Sequence, residues 1–324
     1  MNKLRESIPA LATRIRIAEI PSPQTFHKKL LQQIELRSYF AGFAQNNAWN
    51  FGFATVKGNV REENQDYGVA FNYEGHQILL LADGMGGLTH GGLASFLAVS
   101  SASNTILSDL HTCMNTNELL ELSASALEKA RFLLACCGDK LNIITSGLRT
   151  TLIIVISNES HATLTYIGDG AVYHYKSATE CQALLEPQKA FPGNLSLLSA
   201  SLGPTVHGKP RSRAFRRAEN DLIIAMTDGI ADRIYPVPEN GSAPMVISNF
   251  VSNVETANGN LQEAVTSTVN DLANYKDDEG YICNDNVSLG CLSNMRHSNV
   301  IVGTSIEDQR NRDYGNEPET HFCY

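Results

Sequence analysis

The chain is poor in several features that would direct its reading elsewhere. Among 324 residues there is one tryptophan, aromatics make up 7%, and charged side chains 18%. The seven cysteines, at 113, 136, 137, 181, 283, 291 and 323, are odd in number and never spaced C-x-x-C. That pattern argues against a disulfide framework or a structural zinc site and favours a reducing cytoplasm. We read them as small hydrophobes or incidental thiols. No apolar run approaches the ~18 residues of a membrane helix. The opening MNKLRESIPALATRIRIAEI mixes charge with apolar residues and so lacks the core of a secretory signal. A formal net charge of −9 leaves no broad excess of positive charge for general nucleic-acid binding.

What is present is a 43% hydrophobic composition, enough for a substantial core in one large domain or two smaller ones. The apolar residues fall into runs that stop on aspartate. Ile78-Leu79-Leu80-Leu81-Ala82 ends at Asp83-Gly84, Leu222-Ile223-Ile224-Ala225-Met226-Thr227 ends at Asp228-Gly229, and a third Asp-Gly pair follows Gly168 at Asp169-Gly170. Asp66 stands before the run 67–73, and Asp285-Asn286 opens Val287 to Leu292. Carboxylates repeated at strand ends suggest one oxygen-rich metal site assembled by a sheet.

Period-two patterning predicts strands at 49–57, 67–73, 77–82, 150–156, 161–167, 171–176, 211–218, 221–227 and 286–292. Helices are predicted at 93–110, 117–137, 244–256 and 260–274. In the second, Asn115 and Glu118 have the spacing of a capping box, and Leu119, Leu122, Ala126, Leu127, Ala130 and Leu133 share a face. Turns are expected at Glu74-Gly75, at Gly168-Asp169-Gly170 and at Glu219-Asn220. The segment 177–210 is a long excursion rich in Pro, Gly and Ser. Residues 1–48 read as an N-terminal extension, 49–292 as the main domain, and 293–324 as a polar, flexible tail. Hairpins exclude an all-parallel sheet, so antiparallel sheets with helices outside them are expected.

A strand leaving Asp66 and its antiparallel return to Asp83 bring both carboxylates to one end. Mg²⁺ or Mn²⁺ takes carboxylate, carbonyl and water oxygens, which Asp66, Asp83, Asp228 and Asp285 supply, with Gly84 offering a carbonyl at a position of close approach. Two such ions ~3.5–4 Å apart can share a hydroxide that attacks phosphorus in line. Arg61, five residues before Asp66, can clamp phosphate oxygens with its planar guanidinium. Each Asp-Gly is also an ordinary turn signal, and for Asp169-Gly170 a hairpin turn explains the residues as well as a metal does. Asp232 reads equally as a group near a helix start. Asp277 and Asp278 compete with Asp285. The basic run Arg211-Ser212-Arg213-Ala214-Phe215-Arg216-Arg217 reads as a solvated edge strand before it reads as a docking surface.

The order REENQD, ADGMGG, GDG, TDGIAD and DN over about 50–292 resembles the metal-dependent protein phosphatase family, also called protein phosphatase type 2C, in its bacterial form. The resemblance implies an α+β fold, a four-layer α-β-β-α sandwich of two antiparallel sheets flanked by helix pairs. It implies hydrolysis of phosphoserine or phosphothreonine in proteins by a metal-bridging hydroxide, with a cognate kinase as counterpart. Asp66, Asp83, Gly84, Asp228 and Asp285 then match ligands of two Mn²⁺ or Mg²⁺ ions, Arg61 matches the phosphate-binding arginine, and Asp169 and Asp232 match residues that, with Asp228, hold a weaker third ion. The chain departs from the family pattern at Gly170-Ala171, where a Ser-Arg pair is usual, and at Met85, where many members carry a histidine. The excursion 177–210 occupies the place of the family's flap. Two rival readings stay open, a catalytically silent phosphatase-like module and a hydrolase of small phosphate compounds.

Overall fold

The structure is a computed structural model and describes residues 49–85, 90–141, 147–190, 197–232, 241–278 and 280–296; the predicted extension 1–48 lies outside these, as does the tail from 297 on. The hairpin that carries the first aspartates forms as predicted. Strand β2 (Asp66–Tyr73) turns through Glu74 and Gly75, at φ 48° and 69°, into β3 (His76–Asp83). Positive φ at both turn residues matches the right-handed twist of the flanking strands. The register sets Asp66 directly opposite Asp83.

Around this hairpin β4 (Leu152–Ser157), β5 (His161–Ile167) and β8 (Arg211–Arg216) complete one antiparallel sheet in the order β2-β3-β4-β5-β8. The second sheet runs β1-β12-β9-β6-β7, from β1 (Trp49–Val56), β6 (Ala171–Ser177), β7 (Glu180–Ala183), β9 (Leu222–Met226) and β12 (Val287–Arg296). A short ribbon pairs β10 (Lys276–Asp277) with β11 (Gly280–Tyr281).

Alternation along two strands explains the layering. From β3, Ile78, Leu80 and Ala82 pack with Leu97 and Ile106 of helix α1 (Gly91–Asp109) and Leu127 of α2 (Thr116–Leu141). The intervening Leu79 and Leu81 instead meet Phe53, Ile223, Ala225 and Leu292 between the sheets. On the far side Ile224 and Met226 of β9 pack with Phe250 of α4 (Met245–Thr256) and Val265 of α5 (Leu261–Asn274). Central strands are thus buried on both faces, which is why they read as unbroken apolar runs. The result is the expected α-β-β-α sandwich. The capping box forms too: Asn115 Oδ1 accepts from Glu118 N at 3.2 Å while Asn115 N donates to Glu118 Oε2 at 2.7 Å.

Two predicted turns prove to be crossings between sheets. β5 and β6 are not partners, so Gly168-Asp169-Gly170 carries the chain from one sheet to the other. β8 and β9 likewise lie in different sheets, so Glu219-Asn220 is not a hairpin turn. Local alternation identifies strands but not their partners, and the partners are chosen by long-range burial. Three smaller elements were not anticipated: β7 within the excursion, the β10–β11 ribbon, and α3 (Asp228–Ala231) directly after β9. Strand β12 continues to Arg296, past its predicted end at 292.

Candidate metal centre and phosphate site

Both sheets end in carboxylates on the same side of the sandwich. Asp66 and Asp83 close the β2–β3 pair, Asp228 begins α3 at the end of β9, and Asp285 lies just before the start of β12, the antiparallel neighbour of β9. Asp66 and Asp83 are within hydrogen-bonding reach of one another, as are Asp83 and Asp228. Among the described residues no three His, Cys, Asp or Glu side chains already stand close enough together to hold a metal ion; the carboxylates meet in pairs.

Their electrostatics follow from this crowding. Burial pushes Asp66 up to about 6, against the pull of hydroxyl donors from Ser288 and Thr227. Asp228 rises to about 7 through burial and the neighbouring charge of Asp169. Asp83 keeps some accessible surface, yet desolvation and the charges of Asp228 and Asp66 hold it well above the usual carboxylate range. Without a cation, such a cluster retains protons that a divalent ion would displace. An all-oxygen, acidic donor set fits a hard ion such as Mg²⁺ or Mn²⁺.

The scaffold beneath Asp66 has a defined proton order. A carboxylate accepts only, so the single Ser288 hydroxyl proton points to Asp66 Oδ2 at 2.6 Å. The 2.7 Å contact between Ser288 Oγ and Thr55 Oγ1 must then have Thr55 as donor. Thr55 Oγ1 in turn accepts from Asn64 Nδ2 at 2.9 Å, and Asn64 Oδ1 accepts from the Asp66 backbone N–H at 3.1 Å. Thr227 adds a second hydroxyl donor to Asp66 Oδ2 at 2.9 Å. Four side chains, two from strands β1 and β12 and two from the loops at Asn64 and Thr227, thereby fix one carboxylate. At Asp83, the carbonyl accepts from Thr151 N and Thr150 Oγ1, both at 2.8 Å, and the N–H donates to Thr151 Oγ1 at 2.9 Å.

Asn286, read in the sequence only as part of a motif, has a clear task. Its Oδ1 accepts from Gln65 N, and its Nδ2 donates to the carbonyls of Lys57 and Glu63, all at 2.9 Å. It staples the 57–65 loop to the start of β12 and so brings Arg61 to the site. Arg61 Nη2 donates to Asp285 Oδ2 at 2.5 Å, with the Arg61 side chain 42% exposed at the rim. That hydrogen bond, with the charges of Asp285, Asp228 and Asp83, strengthens its hold on the proton. Asp277 and Asp278, the competitors of Asp285, are exposed, with Asp277 in the short ribbon.

Gly84 is also required on steric grounds within the fold. A Cβ there would lie 2.2 Å from the Gly91 carbonyl oxygen and 2.8 Å from that of Gln65. The missing side chain lets the loop sit on the start of α1. Gly168, at φ 115°, makes the bend between sheets, and a Cβ on it would strike Thr151 at 2.5 Å.

Asp169 is buried and Asp232 half-buried beside the same cluster, but a residue with no sequence signal joins them. Lys189, from the 177–210 excursion, pairs through Nζ with Asp169 Oδ2 and stands 3.5 Å from Asp232 Oδ1. Burial raises Asp169 and the ammonium opposes it. The basic run also divides: Arg211, Ser212, Ala214 and Arg216 follow the exposed pattern of an edge strand, whereas Arg217 is fully buried against Asp221. His174, one of the histidines without a sequence-based role, completes that cluster through Nε2 and Asp221 Oδ2 at 2.5 Å.

A sandwich of two antiparallel sheets with paired outer helices and a carboxylate cluster at one end is the architecture of metal-dependent phosphatases. The family model described as Protein phosphatase 2C matches residues 59–269, and the chain belongs to that family. Among curated relatives, it is 31% identical over 127 residues to the serine/threonine phosphatase stp of Listeria monocytogenes, covering 37% of this chain and 48% of that protein. The stp of Listeria innocua is 32% identical over the same length and coverage. The chain thus spans about half the length of the curated relatives it matches. Among solved structures, the Mycobacterium tuberculosis serine/threonine phosphatase PstP/Ppp superposes with a TM-score of 0.59 at 19% identity, over 77% of this chain and 100% of that one. Stp1 from Staphylococcus aureus does so at 0.59 and 14% identity, over 78% and 97%. These superpositions establish the fold. No helix among the described residues is long and apolar enough to cross a membrane.

Proposed function

We propose that the chain is a serine/threonine phosphoprotein phosphatase that hydrolyses phosphate monoesters with the aid of two divalent cations, Mn²⁺ or Mg²⁺. The reading rests on one observation, the meeting of Asp66, Asp83, Asp228 and Asp285 with Arg61 at one end of the sandwich. When bound, the ions supply Lewis-acid activation of water and neutralise charge developing on the phosphoryl oxygens. The protein supplies placement. Asp83 lies beside both Asp66 and Asp228 and would be the ligand common to the two ions. Asp66, locked by Ser288 and Thr227, gives its other oxygen a fixed direction. Arg61 stands at the exposed rim, where its guanidinium meets the dianionic ester and holds it against the acidic floor. Its partnership with Asp285 keeps the arginine at the site before substrate arrives.

Phosphoserine and phosphothreonine proteins are the proposed substrates, in keeping with the names of the Listeria relatives. The test is hydrolysis of a phosphothreonine peptide and of a generic aryl phosphate by the full chain, with Mn²⁺ and with chelator. Turnover that needs Mn²⁺ and is lost in a folded Asp83→Ala variant is the expected result. Substantial metal-dependent activity in Asp83→Ala overturns the assignment of that residue. Metal binding without turnover identifies a silent module, and a preference for nucleotides or sugar phosphates over phosphopeptides identifies a small-molecule hydrolase.

A further inference from the structure

The acidic site holds a cation of its own. Lys189 Nζ lies against Asp169 Oδ2 and 3.5 Å from Asp232 Oδ1, with only 14% of the lysine side chain exposed. The placement is built rather than incidental, because the residue before it is fastened on three sides. Gln188 N donates to the Gly168 carbonyl at 3.1 Å, Gln188 Oε1 accepts from Gly168 N at 2.8 Å, and Gln188 Nε2 donates to the Lys209 carbonyl at 2.8 Å. Lys189 itself forms an antiparallel bridge with Leu198, flanked by Ala190 N to Leu197 O and Ser199 N to Gln188 O, both at 2.7 Å. The residue after Gly168 is Asp169, so the backbone that positions the lysine also positions its partner. An ammonium held against both carboxylates already neutralises them and opposes a divalent ion at the same pair, because like charges repel in a partly desolvated site.

We infer that Lys189 is a resident cation of the acidic site, which neutralises Asp169 and Asp232, withholds that pair from divalent metal and ties its own loop across the cluster. The metal-binding set is then Asp66, Asp83, Asp228 and Asp285, and the outer pair serves to hold the loop. The inference rests on the two-metal reading above and narrows it.

The experiment counts bound Mn²⁺ per full chain by electron paramagnetic resonance titration at saturating metal, with fold checked by circular dichroism. Wild type and Lys189→Arg are expected to bind two ions. Lys189→Met is expected to gain one further ion, and adding Asp169→Asn to it is expected to remove that gain. Lys189→Gln is the second uncharged variant, should the methionine protein not fold. Three ions on the wild type overturn this inference and leave the two-metal centre standing, as does an unchanged count of two in folded Lys189→Met or Lys189→Gln. No Mn²⁺ on any of these proteins overturns the two-metal reading and this inference together.

Discussion

Ser288→Ala removes one hydroxyl from the floor of the site and tests how the scaffold governs metal affinity. Ser288 is fully buried and gives its only proton to Asp66 Oδ2 at 2.6 Å. Its loss leaves Thr227, at 2.9 Å, as the remaining hydroxyl donor to that oxygen. A hydrogen bond to a charged group contributes about 1.5–3 kcal/mol. At ~1.4 kcal/mol per tenfold, this corresponds to roughly 10–100-fold weaker Mn²⁺ binding, the size usual for partners that orient metal ligands. Thr55→Val removes the next donor in the chain, which acts on Asp66 only by fixing and polarising Ser288. Its cost should be smaller, about the 0.5–1.5 kcal/mol of a neutral hydrogen bond. Calorimetric titration of the chelator-treated protein with Mn²⁺ measures both, and the ordering Ser288→Ala above Thr55→Val is the essential result. Equal effects, or a change below about twofold for Ser288→Ala, would refute the proton order derived for this network.

Three further predictions concern the rim, the far end and the pH response. Arg61→Ala should lower kcat/KM for an aryl phosphate by at least about tenfold through loss of a charge-assisted phosphate contact, while the Mn²⁺ count stays the same; a drop in bound metal instead would show that the arginine acts on Asp285. Arg217→Met removes a guanidinium that donates to Asp221 Oδ1 at 2.7 Å, Gln77 Oε1 at 2.7 Å and Ser157 Oγ at 3.0 Å, all buried. It leaves the buried Asp221 carboxylate with only His174 and the Ala218 N–H as partners, at a cost of up to roughly 3–5 kcal/mol, a fall in Tm on the order of 10 °C. Asp221 and Asp228 lie at opposite ends of β9, some ~20 Å apart at strand rise, so Mn²⁺ affinity should not change. The pH response of the chelated protein follows from Asp66 and Asp228, raised from 3.8 to about 6 and about 7. Here the native state binds more protons than the unfolded chain between about pH 4 and 7, so stability falls as pH rises through that window. Asp66 alone accounts for on the order of 3 kcal/mol at ~1.4 kcal/mol per pH unit. Thermal unfolding in chelator should show that decline, and excess Mn²⁺ should abolish it; a flat profile in chelator would contradict the burial and crowding of the carboxylates.

Much was legible in the chain itself because it depends on local rules. Two-sided burial writes strands as apolar runs, the Asn115–Glu118 spacing writes a helix start, and an antiparallel hairpin of known turn forces Asp66 and Asp83 together. Those features need only neighbours in sequence, and together with the motif order they determined the sandwich, the family and the four carboxylates at strand ends. Tertiary structure decided what depends on distant partners. It moved the chain from one sheet to the other at Asp169 and again between β8 and β9. It set Ser288, Thr55 and Asn64 in one proton-ordered line, gave Asn286 its loop to hold, and buried Arg217 where a solvated charge was expected. It also brought Lys189, from a segment without a legible pattern, onto Asp169 and Asp232. An isolated lysine in a loop has no periodicity to betray its partner; only the fold, by closing that loop over two desolvated carboxylates, assigns its charge a place.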